Sequence, residues 1–536
     1  MYDVYILCQM HDKRHKCSDF NLIMAYIRNI FQVILTMAAA LCLNCADSAA
    51  DDISASTPLR VRGVMESLDM EDVRIPQSLE RLDFYSSCGL NTYFYAPADD
   101  FARGPRGWRF LYPERDRKNL SEMMEACAER GMEFVWTIDT GNDYKWNKQD
   151  YDLLKNKLII MYHSGIRSFA LAFTGVEALP SRMKKLKAQL DKDFVSQRNE
   201  PVSLVLMDDY TMARQPSSSV GPKALMQGVE LNDELRDAAV SSSSIVCDVK
   251  VRSEIYKLNV VAVADFGLSP FKYDNEFSRE RAVEMLAPEV KDAYLTFIRH
   301  SSVVNESEGV ETFTLAEYSK EKAETLMSEF RKIAAVPDIM IKCDRKELLG
   351  EMAPWLEQFG ALGRRGIMVM EALQYYIDGN LGQFWISYVD SMMSEQDRES
   401  YHIYKCGSVK LQPFYEKLMS DLIASFTSRM TAGGTVRIGK ITPELFAALD
   451  SDYASSVHVD GRAVFNIPAV ASECHILTGK LPSDGKVYLR QLARDGSLVA
   501  EFPVRSPYMT MPLKKGSVKV DIIGNVDVFE TIFVSL

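Results

Sequence analysis

The sequence predicts an α/β protein: a (β/α)8 TIM barrel, then a helical bundle, then a C-terminal all-β sandwich. Three observations predict it. Short apolar runs ending in polar residues alternate with helix-length amphipathic stretches from Arg62 onward. Beyond Phe313 the pattern changes to long segments of helical period. After Gly434 it changes again, to short alternating runs separated by turn residues. A chain of 536 residues with 47% hydrophobic and 25% charged content is globular and too long for one ordinary domain.

The first four strands are read at Arg62-Gly63-Val64-Met65-Glu66, at Asn91 to Ala96 before Pro97-Ala98-Asp99-Asp100, at Phe134-Val135-Trp136-Thr137-Ile138-Asp139, and at Ser168 to Phe173 before Thr174-Gly175. Four more are read at Val202 to Met207, Ser244 to Cys247, Val260 to Val263 and Tyr294 to Ile298. Eight β/α units need about 250 residues, and the span 57–305 supplies them. Tyr318 to Ala335, Arg345 to Phe359, Ile367 to Tyr376 and Leu411 to Met430 then predict a bundle over 313–430, with Trp355, Trp385, Tyr375 and Tyr376 in its core. Turns at Asp460-Gly461, Ser483-Asp484-Gly485 and Asp495-Gly496 predict a β-sandwich accessory domain over 435–536.

Upstream, residues 1–50 read as a bacterial-type signal peptide and a preceding segment. Met24 is a second candidate start, and the apolar run Ile30 to Leu43 is shorter than a membrane span. The expected location is exported: periplasmic, cell-surface or extracellular. Leu43-Asn44-Cys45 also loosely fits a lipoprotein site, so a lipid anchor at Cys45 is the alternative to cleavage near Ala50. The net charge of -12 argues against nucleic acid as a partner. Cys88, Cys127, Cys247, Cys343, Cys406 and Cys474 form no close pairs, and with the scattered histidines they predict buried thiols rather than a metal site. The chain carries no cofactor motif, and oligomeric state is not legible.

The words Arg62-Gly63, Asn91-Thr92-Tyr93, Tyr95-Ala96-Pro97 and Gly165-Ile166-Arg167-Ser168-Phe169 together resemble the barrel of glycoside hydrolase family 84, the O-GlcNAcase and hyaluronidase-like β-N-acetylglucosaminidases. The resemblance implies hydrolysis in which the substrate's own acetamide oxygen is the nucleophile. Two adjacent aspartates at the end of strand four would manage the acetamide N–H and protonate the leaving oxygen. Here those positions hold Thr174 and Gly175. Other sugar-contacting words also depart: Ser67-Leu68-Asp69-Met70 follows Glu66, Ala98 replaces a lysine, Ala264-Asp265-Phe266 replaces Asn-Asp-Tyr, and His300-Ser301-Ser302 replaces Asn-Pro-Met. The expected function is therefore a glycoside-hydrolase-like protein without the family's activity, whose partner is a carbohydrate or glycoconjugate. The alternatives are an active glycosidase with relocated carboxylates and a non-catalytic interaction scaffold.

Acids recur at the predicted strand ends, the face where such barrels place their sites. Asp208, Asp209 and Asp139 form the candidate catalytic set; Gly63, Glu66, Asp99, Asp100, Trp136, Thr174, Glu177 and Asp265 are candidate sugar contacts, with Asp143 and Asp248 nearby. The competing reading makes the acids helix caps and Trp136 barrel core. Leu68 and Met70 would close the mouth if they turned inward.

Overall fold

The computed structural model describes residues 57–175, 180–214, 231–250, 252–301, 314–396, 411–438, 442–483 and 485–535. The expectations for residues 1–50, with Cys45, and for Glu177 and Cys406 lie outside them.

Seven parallel strands form the first sheet: β1 (Val61–Glu66), β2 (Thr92–Tyr95), β3 (Glu133–Asp139), β4 (Ser168–Ala172), β5 (Ser203–Leu206), β6 (Met212–Ala213) and β7 (Ser244–Val249). Their order is β5-β4-β3-β2-β1-β7-β6. The sheet curls about its inner face, where Val61, Phe94, Val135, Ala170 and Val246 make one apolar cluster with Met65, Val205, Met207, Tyr210 and Met212 against it. Alternate residues such as Tyr93, Trp136, Phe169 and Cys247 point to the outer layer of helices. Gly63 belongs to the inner packing: a Cβ there would stand 2.6 Å from the Phe94 ring.

The count of eight strands is corrected. Val260 to Val263 lies in a helix, Lys257–Leu268, and Tyr294 to Ile298 lies in another, Lys291–Ser301. A helix buried on nearly every side, as Val260, Val261, Val263 and Ala264 are, has the same continuous apolar run as a buried strand. Around Tyr294 the buried residues are Ala293, Tyr294, Thr296, Phe297 and His300, a helical spacing. The closing place beside β1 is taken by β7, and within the described residues β5 and β6 are the sheet's unpaired edges.

The helical region comprises Lys320–Met340, Lys346–Ile377, Leu381–Gln396 and Leu411–Met430. Two of the expected helices are one, 32 residues long. Gly360, Gly363 and Gly366 do not break it but admit close contact with Lys320–Met340; a Cβ on Gly363 would reach within 2.3 Å of the Ala334 nitrogen. Trp355, Trp385 and Tyr376 are buried in this region's core and Tyr375 packs against it. Glu351 fixes the bundle to the first domain, accepting from the backbone N–H of Glu254 (2.9 Å) and Ile255 (3.2 Å) and from the Ser253 hydroxyl.

The C-terminal region is a six-stranded antiparallel sheet whose strands share one apolar core. Its last strand, Lys519–Val534, pairs with Val457–Asn466 and Tyr488–Leu492 over its first half and, past an irregularity at Val528/Glu530, with Glu473–Thr478. One bent strand thus joins what the turn spacing suggests are separate sheets. The described cysteines Cys88, Cys127, Cys247, Cys343 and Cys474 are all free and buried.

Candidate functional site

A cavity of about 740 Å³ opens at the C-terminal ends of the strands. Met65, Met207, Tyr210 and Met212 form its apolar part; Thr137 and Asp139 come from β3, Ala172 to Gly175 from the end of β4, and Asp208 follows β5. Arg103, Gly104 and Pro105 supply one wall, and Arg214 joins the lining just beyond β6. Leu68 is buried in the outer core and Met70 is absent from the lining, so neither closes the mouth.

The wall is positioned by a loop, 98–112, pinned from below. Lys157, buried in the helix Lys148–His163, donates from Nζ to the carbonyls of Ala102, Trp108 (2.9 Å) and Phe110 (2.6 Å). Burial pushes this ammonium down to about 8, against the opposing pull of Asp100. Asp100 is buried, accepts from the Tyr112 hydroxyl (2.6 Å) and the Ala102 N–H (3.0 Å), and is pushed up by burial. Arg103 donates through Nε to Thr137 and through Nη1 to the Pro97 carbonyl (2.8 Å), which fixes its guanidinium at the rim.

The sequence-predicted residues separate into two groups. Asp139, Thr174 and Asp208 meet at the cavity, with Gly175 beside them. Asp139 Oδ1 accepts from the N–H of Gly141 (2.8 Å) and of Thr174 (3.0 Å), so this carboxylate ties the end of β3 to the turn after β4. Gly175 takes a left-handed φ of 76° in that turn. Asp208 is exposed to the cavity, whereas Asp209 turns back and accepts from the Leu206 N–H at 3.4 Å.

The others lie away from the cavity, and their expected place at the mouth is corrected. Glu66 faces outward, 0% exposed, and binds Arg81 (2.7 and 3.1 Å), the Tyr85 hydroxyl (2.7 Å) and the Tyr93 hydroxyl (2.8 Å). Burial, and after it that carboxylate, drives both tyrosines well above the usual phenol range. Trp136 is also 0% exposed on the outer face, its indole N–H donating to Tyr112. Asp99 accepts from the Met70 N–H and shapes a loop. Asp265 sits in a helix, bonded to Ser278 (2.8 Å) and Arg281, and Gly63 is core. Asp143 pairs with Arg109, and Asp248 with Ser67 and Lys250. Sequence reasoning missed Arg103, Tyr210 and Lys157. For Arg103 a usable signal existed, since it follows Asp100 within the loop already assigned to the mouth.

A curled parallel sheet whose open cavity gathers residues from six strand ends defines the class: a β/α-barrel-type protein with its candidate site on the C-terminal face. Residues 75–218 match the family model described as beta-N-acetylglucosaminidase. The chain is 36% identical over 89 residues to Protein O-GlcNAcase of Rattus norvegicus and equally to that of Mus musculus; the match covers 16% of this chain and about a tenth of theirs. Among solved structures it is similar to CpGH84B, with a TM-score of 0.54 at 18% identity over 68% of this chain and 77% of that one. It is likewise similar to an O-GlcNAc hydrolase of Thermobaculum terrenum, with a TM-score of 0.50 at 15% identity over 70% and 98%. The chain has a glycoside hydrolase family 84-like β-N-acetylglucosaminidase fold.

Proposed function

We propose that the cavity binds an N-acetylglucosaminyl carbohydrate or glycoconjugate and that the chain lacks the hydrolysis of the enzymes it resembles. One observation carries this reading: Thr174 and Gly175 line the cavity at the end of β4, where that chemistry needs two carboxyl groups. A threonine hydroxyl does not protonate a leaving oxygen at neutral pH, and glycine brings no side chain to align an acetamide. General acid–base assistance of this kind is worth about 10² to 10⁴ in rate. Asp139, the carboxylate bonded to this turn, already accepts two backbone N–H groups, one of them from Thr174. The relatives' printed names, O-GlcNAcase and O-GlcNAc hydrolase, support the choice of ligand class.

A second reading keeps catalysis on a different glycoside, because Asp139 and Asp208 line the same cavity. A panel of aryl glycosides separates the two. The first reading expects no turnover of any member and saturable binding of N-acetylglucosamine. Turnover that disappears in Asp208→Asn would establish the second. Export belongs to the same proposal, on the strength of the run Ile30 to Leu43. Mass spectrometry of the released protein should find the chain beginning near Asp51, and a mature chain beginning upstream of Ile30 would refute it.

A further inference from the structure

Three of the large exposed apolar side chains lie in one loop at the cavity rim: Phe101 (59% exposed), Phe110 (60%) and Leu111 (56%). The same loop supplies Arg103, Gly104 and Pro105 to the cavity wall. Only Ala102 separates Phe101 from Arg103, so their Cα atoms are at most about 8 Å apart. The aromatic pair thus stands in the same loop as the cavity wall, next to it in sequence though not part of its lining.

These rings are held outward by the fold. Trp108 and Tyr112 are buried beneath them, and Lys157 ties the loop down at three carbonyls. Gly107 seats the first ring: a Cβ there would stand 2.0 Å from the Phe101 carbonyl oxygen and 2.6 Å from its ring. Phe101 and Phe110 lie side by side, centroids 5.5 Å apart and planes tilted by 35°. Contiguous exposed apolar surface at the rim of a cavity marks a contact site.

We propose that Phe101 and Phe110 form a stacking subsite for a second pyranose ring, belonging to an oligosaccharide whose terminal ring occupies the cavity. This rests on the carbohydrate reading of the cavity and extends it to the length of the ligand. The C–H-rich face of a pyranose is apolar and weakly positive, complementary to the negative face of an aromatic ring. An extended peptide fits less well, because it needs free backbone groups to pair with. Here the carbonyls of Ala102, Trp108 and Phe110 are taken by Lys157, that of Arg103 by the Asp139 N–H, and those of Asp100, Gly104 and Gly107 by the loop's own turns.

Calorimetric titration of the full chain with N-acetylglucosamine, N,N′-diacetylchitobiose and a peptide bearing one O-linked N-acetylglucosamine tests the proposal. The disaccharide should bind about tenfold tighter than the monosaccharide, a difference near 1.4 kcal/mol. The double variant Phe101→Ala/Phe110→Ala should lose that gain, keep the monosaccharide affinity within about twofold and melt with the wild type, since exposed rings contribute little to stability. A disaccharide gain that is absent, that survives the double variant, or that appears only with the glycopeptide overturns the subsite. If the monosaccharide binds and the disaccharide gains nothing, the subsite alone fails. If no sugar binds, the cavity reading fails and the subsite with it.

Discussion

The two faces of the same seven strands are built differently. On the outer face the polar groups next to the strands are paired: Glu66 holds one arginine and two tyrosines, the half-buried Arg62 donates to the Gly89 and Leu59 carbonyls, and Trp136, Tyr112 and Asp100 form a hydrogen-bonded line. The cavity lining mixes short side chains at the ends of β2 and β4, Ala96, Ala98, Ala172, Thr174 and Gly175, with long ones from the loops, Arg103, Tyr210 and Arg214. The sequence words shared with family 84 fall mainly on the first face and in the loops beneath it. Resemblance in the scaffold is thus no measure of resemblance in the site.

Mutation should separate the faces by more than their appearance does. The largest effect is expected for Glu66→Ala, which leaves Arg81 buried without its partner and should cost about 3 to 5 kcal/mol in unfolding free energy. Ligand affinity of the remaining folded protein should not change. A loss of affinity at full stability would place Glu66 functionally on the cavity side and break the comparison.

Lys157→Met tests the link between the faces. Three loop carbonyls lose their donor, for which about 1 to 3 kcal/mol is expected, and the wall carrying Arg103 should loosen, weakening sugar binding as well. The pH dependence has a definite sign. The buried ammonium titrates near 8 when folded and near the ordinary lysine value of about 10.4 when unfolded. Between these values the unfolded chain holds the extra proton, so this group makes stability rise with pH. Urea unfolding at a series of pH values should show that rise in the wild type and not in the variant.

The smallest effect on stability is expected for Asp208→Asn, within about 0.5 kcal/mol, because the side chain is exposed. Its effect on sugar affinity should be several-fold if the carboxylate accepts from a hydroxyl group. Thermal melting beside calorimetry reads both quantities, and a stability loss without an affinity loss would make Asp208 structural.

Much of this division was legible in the sequence. Strand residues alternate, so once Asp139 is assigned to the cavity, Trp136, three residues earlier, must face the other way. The same parity pairs Glu66 with Val64 on the outer side and Met65 with Gly63 on the inner. The replacement of the aspartate pair by Thr174 and Gly175 was legible because the preceding phrase is intact in register. The sixth and seventh strands were harder. β6 has two residues and carries no periodicity, and the place of β7 beside β1 is a tertiary outcome. Helix and strand coincide at Val260 to Val263 because burial on all sides removes the period that would tell them apart. Lys157 gave no signal, since a lysine on an amphipathic helix is ordinarily solvated.

Hydrolysis of an aryl β-N-acetylglucosaminide, measured beside binding of N-acetylglucosamine on the same preparation, tests the central claim most directly. The account predicts saturable binding with turnover at least about 10² below that of an ordinary enzyme of this type. Turnover within tenfold of such an enzyme would contradict it, and would mean that Thr174 and Gly175 are no obstacle to the chemistry.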